Sequence, residues 1–257
     1  MALKHLWEDW HKIRSSIKSS PSLFILLDYD GTLTPIVERP EDAYLSPETR
    51  NLLKTLTDKQ GYKVGILSGR VLEDVKKRVG LPNLYYAGNH GLELSGPDIE
   101  FVHPEARKLA STISKIYKEL ENELGGVTGL IVENKTLTIS VHYRAVAADK
   151  IELVKRKVVK VVSRQQRLQL TYGKKVLEVK PKVDWNKGKA AQLLIKRAAP
   201  ESLPIYAGDD TTDEDAFKQL RRGVTILVTS TPLQTSAKYY LRDPNELKEL
   251  LNRLAAL

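Results

Sequence analysis

Three short polar motifs each follow an apolar run of the chain, and this pattern constrains the fold most. The motifs are Asp28-Tyr-Asp30, Ser68-Gly-Arg70 and Gly208-Asp209-Asp210, and the runs before them are Leu23–Leu27, Tyr62–Leu67 and Ile205–Ala207. Buried parallel strands are typically continuous apolar runs, and open α/β sheets bind ligands beyond the carboxyl ends of their strands. We therefore expect carboxylates, a hydroxyl and a bound cation to meet at one sheet edge, which suits movement of a phosphoryl group.

The order of elements predicts the fold class. Apolar runs alternate with helical patterns through residue 101, and Ser46-Pro47 is typical of a helix start. This alternation predicts an α/β fold with a doubly wound, mainly parallel sheet. We expect a first helix over Leu3–Lys18.

A second pattern begins after residue 101. Leu137, Ile139 and Val141 alternate with polar residues, which is typical of an antiparallel strand, and we expect it to pair in a hairpin around Asn134-Lys135. The predicted organisation is therefore one discontinuous core, residues 1–101 and 183–257, with a smaller α+β cap domain at 102–182 inserted into it.

Composition narrows the class of protein. The 257 residues are 41% hydrophobic and 28% charged, contain no cysteine and carry a net charge of +9. A disulfide framework and thiolate chemistry are thereby excluded, and no apolar run approaches the roughly 20 residues of a membrane span. With no secretion signal recognised, we expect a cytoplasmic protein with no membrane partner. The positive charge permits nucleic-acid binding or simply favours an anionic substrate, and a mild cluster of basic residues from Lys155 to Arg167 is explained by a solvated helix face.

The carboxylates at the strand ends indicate a specific chemistry. Asp28 and Asp30 project to the same side, so one can attack phosphorus while the other protonates the leaving oxygen and later deprotonates water. Asp209 follows a strand directly and suits Mg²⁺, which prefers oxygen ligands. Asp213 and Asp215 are also explained by an acidic helix start. Taken alone, Ser68 is also explained as a residue that caps the next helix, and Lys187 is also explained as a solvated surface lysine.

Taken together, these motifs resemble the haloacid dehalogenase superfamily of phosphatases. The match comprises Asp28-Tyr-Asp30, Ser68, Lys187 and Gly208-Asp209-Asp210 in that order. The chain more closely resembles the trehalose-6-phosphate phosphatase family, and the residues that carry this likeness are Leu27–Val37, Ser68–Arg70, Tyr86–Glu93, Val132–Lys135, His142–Arg144, Leu177–Pro181 and Asp184–Ala190.

The resemblance implies a role for each site residue. It makes Asp28 the nucleophile and Asp30 the general acid and base, with Ser68 and Lys187 holding the phosphoryl group. Mg²⁺ would be bound by Asp28, the carbonyl of Asp30 and Asp209, with Asp210 or Asp213 supporting it through water. The residues implied to contact the sugar or the phosphate are Arg70, Asn89, His90, Glu133, Lys135, His142, Arg144, Glu178 and Lys180. The spacing of two also predicts that His142 and Arg144 share a strand face.

The implied function is hydrolysis of trehalose 6-phosphate, and a trehalose-6-phosphate synthase is an implied partner. Alternatives stay open at this point. They are the same chemistry on mannosyl-3-phosphoglycerate or sucrose phosphate, transfer of the phosphoryl group to an acceptor other than water, and non-catalytic binding of a polyanion.

Overall fold

A computed structural model describes residues 3–37, 39–231 and 234–257 of the chain. The described residues contain thirteen strands: β1 (Lys4–His5), β2 (Leu23–Asp28), β3 (Tyr62–Leu67), β4 (Tyr85–Gly88), β5 (Glu93–Gly96), β6 (Ile99–Val102), β7 (Ile131–Asn134), β8 (Ile139–His142), β9 (Leu168–Gly173), β10 (Val176–Pro181), β11 (Leu203–Gly208), β12 (Val224–Val228) and β13 (Tyr239–Leu241). They also contain eight α-helices: α1 (Trp10–Ser19), α2 (Pro47–Asp58), α3 (Leu72–Val79), α4 (Pro104–Leu124), α5 (Ala148–Val162), α6 (Lys187–Ala198), α7 (Glu214–Gln219) and α8 (Pro244–Ala255).

The chain divides into two compact units. The first unit consists of Met1–Phe101 and Trp185–Leu257, and the second is the continuous segment Val102–Asp184. Each unit has its own sheet.

The first unit is built on a nine-stranded sheet in the order β1-β13-β12-β11-β2-β3-β4-β5-β6. The strands from β1 to β4 in that order all pair in parallel, and β5 runs antiparallel to β4. Every residue of β2 and β12 is buried, which explains why these strands are apolar except at Asp28 and Thr225 rather than alternating. The prediction of a doubly wound, mainly parallel α/β sheet is confirmed.

The second unit is a four-stranded antiparallel sheet in the order β7-β8-β10-β9. One face packs on α4 and α5 through apolar residues such as Ile139 and Val141 of β8 and Leu177 of β10. The residues between them along the strands, Ser140 and Glu178, belong to the opposite face, as the alternation in the sequence predicts.

Several elements differ from the sequence expectation. The residues expected to begin the first helix form β1, which pairs with Tyr239 and Tyr240 of β13, followed by a single tight helical turn, and the α-helix starts only at Trp10. Pairing with a distant strand thus overrides the helical pattern of Leu3–Lys18. The hairpin turn in the second unit is longer than expected, since β8 begins at Ile139. Strands β5, β6 and β13 and helix α8 have no counterpart in the sequence prediction.

Among the described residues, no helix has both the length and the apolar character needed to cross a membrane.

Candidate active site

The three polar motifs lie at one edge of the parallel sheet. Asp28 is the last residue of β2, Ser68 follows β3, and Asp209 follows β11. Strand β2 pairs with both β3 and β11, and all three run in the same direction. The carboxyl ends of these neighbouring strands therefore bring the motifs together, as the sequence predicted from their positions.

Lys187 contacts two of the acidic residues at this edge. The side chain of Asn186 accepts a hydrogen bond from the backbone N–H of Lys189 and so starts α6 with Lys187 at its first position. The Lys187 ammonium, almost completely buried, donates to Oδ1 of Asp28 at 2.6 Å and to Oδ1 of Asp213 at 2.8 Å. A buried lysine with two carboxylate partners is a fixed cation rather than a solvated surface charge.

Asp213 is completely buried and its carboxylate is saturated with hydrogen bonds. Oδ1 accepts from Lys187 and from the hydroxyl of Tyr206 at 2.6 Å. Oδ2 accepts from the backbone N–H groups of Asp209 and Asp210 at 3.1 and 3.0 Å. These four bonds use the lone pairs of both oxygens. Asp213 therefore holds both the lysine and the loop that carries Asp209.

Asp209 approaches Asp28 because residue 31 is a glycine. Gly31 has a φ of +85°, and a Cβ added there would overlap with the Asp209 carboxylate. Oxygen atoms of Asp28, Asp209 and Asp213 lie within 4.8 Å of one another, a spacing that could hold a metal ion. Asp210 has a different position, since its exposed carboxylate accepts from the backbone and hydroxyl of Thr211 and caps the following turn.

The charges of this cluster do not cancel. Three carboxylates surround one ammonium, so two negative charges remain when all four groups are ionised. Burial raises the pKa of Asp28 well above its ordinary value, Asp213 and Asp209 raise it further, and the Lys187 ammonium opposes the rise. Burial alone would lower the pKa of Lys187, but Asp213 and Asp28 outweigh it, so the lysine stays charged. A divalent cation would neutralise the remaining charge, and the oxygen donors suit a hard ion.

Asp30 is held by Arg70. The guanidinium donates to both carboxylate oxygens of Asp30, and its third nitrogen, Nη1, donates to Asp74 at 3.0 Å. Both carboxylate oxygens of Asp74 also accept hydrogen bonds from Nε of Arg78. The Arg70 guanidinium lies 5.4 Å from the centre of the Tyr29 ring. A chain of alternating charges thus fixes the side chain of Arg70.

The loop after β3 is braced by a left-handed turn after β4. Asn89, His90 and Gly91 have consecutive φ values of 49°, 56° and 91°. Their backbone N–H groups reach the loop, since Asn89 donates to Arg70 O and His90 donates to Ser68 O. Two non-glycine residues in this conformation are unusual and mark a segment that its surroundings hold in place. The Asn89 side chain is buried and donates to Glu93 at 2.7 Å.

Ser68 itself is buried at the end of β3. Its hydroxyl accepts a hydrogen bond from the backbone N–H of Arg70 at 3.1 Å, which bends the chain directly after the strand. The helix-capping explanation of Ser68 is wrong, because the N-cap residue of α3 is Val71 and the serine stabilises the preceding turn instead.

A separate polar cluster lies on the face of the second unit's sheet that is opposite α4 and α5. His142 and Glu133 are joined by a 3.1 Å contact between Nε2 and Oε2. The Lys135 ammonium lies 3.8 Å from Glu133 and 4.0 Å from Glu178. Strand register explains the grouping, because Glu133 and Glu178 both pair with Ser140 of the central strand β8.

Of two further residues expected beside this cluster, one has a different position. Strand β8 ends at His142, so the argument that Arg144 shares its strand face does not hold. Arg144 lies in the following turn and donates to the backbone oxygen of Lys174 at 3.2 Å. Lys180 lies on β10 two residues after Glu178, on the same face by strand alternation.

Other residues of the site were missed by the sequence analysis. Tyr206 contacts Asp213, and Asp74 contacts Arg70. A tyrosine inside an apolar strand and an acidic residue in a helix are both common, so neither indicates such a role in the sequence. The hydroxyl of Ser140 is buried without a hydrogen-bond partner between Glu133 and Glu178. Its position in the alternation of β8 could have placed it on the polar face.

Comparisons with known proteins agree with this geometry. The sequence profile of the trehalose-phosphatase family matches residues 26–245. The chain is 41% identical over 248 residues to probable trehalose-phosphate phosphatase D of Arabidopsis thaliana, covering 90% of this chain and 67% of that protein. The C-terminal domain of trehalose-6-phosphate phosphatase from C. albicans superposes with a TM-score of 0.82 and 26% identity, covering 99% of this chain and 98% of that chain.

A haloacid dehalogenase-like hydrolase from Bacteroides thetaiotaomicron has a TM-score of 0.62 at 15% identity, with 91% of this chain and 99% of that chain covered, and so shares the fold. The resemblance seen in the motifs is thereby confirmed: the chain has the haloacid dehalogenase fold and belongs to the trehalose-phosphatase family.

Proposed function

We propose that the chain hydrolyses trehalose 6-phosphate to trehalose and phosphate through an aspartyl phosphate formed on Asp28. The observation that carries the proposal is the buried Asp28 at a strand end, bonded to Lys187 and within 4.8 Å of Asp209, in a chain of the trehalose-phosphatase family. Phosphoryl transfer depends mainly on positioning and charge stabilisation, and this group of residues supports both.

In the first step, a carboxylate oxygen of Asp28 attacks phosphorus and the bond to the sugar oxygen breaks. Lys187 holds the attacking carboxylate and balances the negative charge that gathers on the phosphoryl oxygens. The hydroxyl of Ser68, at the end of β3, binds a phosphoryl oxygen. The burial of Asp28 favours this chemistry, since a carboxylate shielded from water is less solvated and attacks more readily.

Asp30 transfers the protons. It enters the first step as the carboxylic acid and gives its proton to the departing sugar oxygen; the carboxylate that results then takes a proton from the water that hydrolyses the aspartyl phosphate. The bidentate contact from Arg70 orients the Asp30 carboxylate beside Asp28. We therefore assign Arg70 an orienting role in addition to the substrate contact that the family resemblance implies.

The residues present fit a divalent cation, and we propose Mg²⁺. Asp28, the backbone carbonyl of Asp30 and Asp209 would hold the ion, and it would supply positive charge to the phosphoryl oxygens. Asp213 is saturated by its four hydrogen bonds and Asp210 caps a turn, so their contribution would be to the shape of the loop.

The second unit supplies the groups that recognise the sugar, as the cap domain of the enzyme. Glu133, Lys135, His142 and Glu178 offer both donors and acceptors, which a sugar rich in hydroxyl groups requires. The unit also contains seventeen lysine and arginine residues against nine aspartate and glutamate residues, which accounts for +8 of the chain's net +9. This charge favours an anionic substrate.

Phosphate release from a panel of sugar phosphates tests the proposal. The panel contains trehalose 6-phosphate, sucrose phosphate and mannosyl-3-phosphoglycerate, each with Mg²⁺ and with a chelator. We expect the highest kcat/KM for trehalose 6-phosphate, and only when Mg²⁺ is present. A higher value for another sugar phosphate would reassign the substrate. Consumption without free phosphate would indicate transfer to an acceptor other than water. Salt-sensitive binding of nucleic acid without turnover would indicate a polyanion-binding protein.

A cytoplasmic location and a trehalose-6-phosphate synthase as partner stay predictions from the sequence.

A further inference from the structure

We propose that Tyr206 is a positioning residue that, through Asp213, directs the ammonium of Lys187 at Asp28. The inference rests on the proposed function, because it assigns Tyr206 a part in the same phosphoryl transfer.

The hydroxyl of Tyr206 and the ammonium of Lys187 share one oxygen atom. Tyr206 lies inside β11, completely buried, and donates to Oδ1 of Asp213 at 2.6 Å. Lys187 donates to the same oxygen at 2.8 Å and to Oδ1 of Asp28 at 2.6 Å. Three short hydrogen bonds, through the two side chains of Asp213 and Lys187, thus join the tyrosine to the nucleophile.

The hydroxyl limits the directions from which Lys187 can approach. A carboxylate oxygen accepts about two hydrogen bonds, one for each lone pair. Oδ2 of Asp213 is occupied by the N–H groups of Asp209 and Asp210, and the Tyr206 hydroxyl occupies one of the two positions on Oδ1. Lys187 is left with the remaining position on Oδ1.

The ring of Tyr206 is itself fixed. It packs edge-on against Phe217 of α7, with centroids 5.7 Å apart and an interplanar angle of 81°. A rigid ring gives its hydroxyl a defined position, so the constraint on Asp213 comes from the sheet and not from a mobile side chain.

Removing only the hydroxyl frees the second lone pair of Oδ1. The ammonium can then move around Asp213 and away from Asp28, which weakens a contact on which the transition state depends. Because the substrate is bound mainly by other groups, we expect the loss in kcat and not in KM.

The test compares Tyr206→Phe with Tyr86→Phe. Tyr86 is a matched control, since it is also buried in the sheet and its hydroxyl donates one bond of 2.6 Å, to Leu81 O, away from the site residues. For Tyr206→Phe we expect kcat with trehalose 6-phosphate and Mg²⁺ to fall about tenfold, with KM within about twofold, the effect of one hydrogen bond in the transition state. Inhibition by orthovanadate, which mimics five-coordinate phosphorus, weakens by the same factor.

The possible results distinguish a failure of the role of Tyr206 from a failure of the proposed function. If the unaltered chain releases no phosphate, the proposed function fails. If it is active and both tyrosine variants match it, the function stands and the role of Tyr206 is wrong. Equal losses of kcat in the two variants, or a Tyr206→Phe chain that fails to fold where Tyr86→Phe folds, would make the hydroxyl a general stabilising group and would also overturn the inference.

Discussion

The guanidinium of Arg70 binds both carboxylate oxygens of Asp30, through Nε at 2.7 Å and Nη2 at 2.6 Å. A serine-glycine-arginine motif after one strand is thereby joined to an aspartate motif after its neighbour. The contact fixes the plane of the Asp30 carboxylate, which a single hydrogen bond would not do.

We predict that Arg70→Lys impairs proton transfer by Asp30. Lysine keeps the charge but cannot bind both oxygens, so the carboxylate loses its orientation. We expect kcat/KM for phosphate esters to fall at least tenfold, by about 1.4 kcal/mol of transition-state stabilisation. Across a series of aryl phosphates, the fall should be larger for alcohols that leave poorly, because these depend most on protonation.

The control for this series is Arg253→Lys. Arg253 binds Glu249 on the exposed surface of α8, and its replacement should leave the dependence on the leaving group unchanged. An Arg70→Lys variant that loses the same factor with every aryl phosphate would show that Arg70 does not act through Asp30.

A second prediction concerns Gly31. Gly31→Ala introduces a Cβ that overlaps with the Asp209 carboxylate, so the carboxylate has to move away from Asp28. We expect the Mg²⁺ concentration for half-maximal activity to rise. The binding of Mn²⁺, measured by its electron spin resonance signal, should weaken in parallel.

Gly61→Ala provides the comparison for backbone strain. Gly61 has a φ of +79°, close to the +85° of Gly31, but its added Cβ would meet only Pro21 O at 3.5 Å. Both variants should lose about 1 kcal/mol in the free energy of unfolding, since alanine is strained at positive φ. Unchanged metal binding in Gly31→Ala would mean that Asp209 does not need its position beside residue 31.

A third prediction addresses the polar cluster of the second unit. Glu178→Gln removes a charged acceptor next to Lys135, so we expect kcat/KM for trehalose 6-phosphate to fall about tenfold. Hydrolysis of p-nitrophenyl phosphate, which has no sugar, should be nearly unchanged. Glu152→Gln, on the exposed surface of α5, should alter neither substrate's kinetics. Equal losses with both substrates in Glu178→Gln would remove the cluster from sugar recognition.

The sequence predicted which residues meet at this edge of the sheet because strand ends have a simple geometry. Asp28, Ser68 and Asp209 each follow an apolar run, and parallel pairing is enough to bring such residues to one edge. Contacts between side chains that are distant in the sequence were harder to predict. Tyr206 looks like any core aromatic, and its role depends on Asp213 seven residues later, after the chain has turned.

The errors over Leu3–Lys18 and at Arg144 have a related cause. The pattern of Leu3–Lys18 is amphipathic, but Lys4 and His5 pair with a strand more than 230 residues later, which no local pattern reveals. Arg144 was grouped with His142 by strand spacing, but the strand ends at His142, two residues before Arg144, so that rule does not apply. Local periodicity therefore identifies elements better than it identifies where they stop.

The role of Asp28 as nucleophile is the central claim, and phosphate release by Asp28→Asn tests it most directly. Asparagine has nearly the same shape, and it removes one of three crowded carboxylates, so the melting temperature should not fall. With trehalose 6-phosphate and Mg²⁺, the account predicts turnover in the unaltered chain and none detectable in Asp28→Asn, while Asp58→Asn on the surface of α2 stays fully active. Full turnover by a folded Asp28→Asn chain would contradict it.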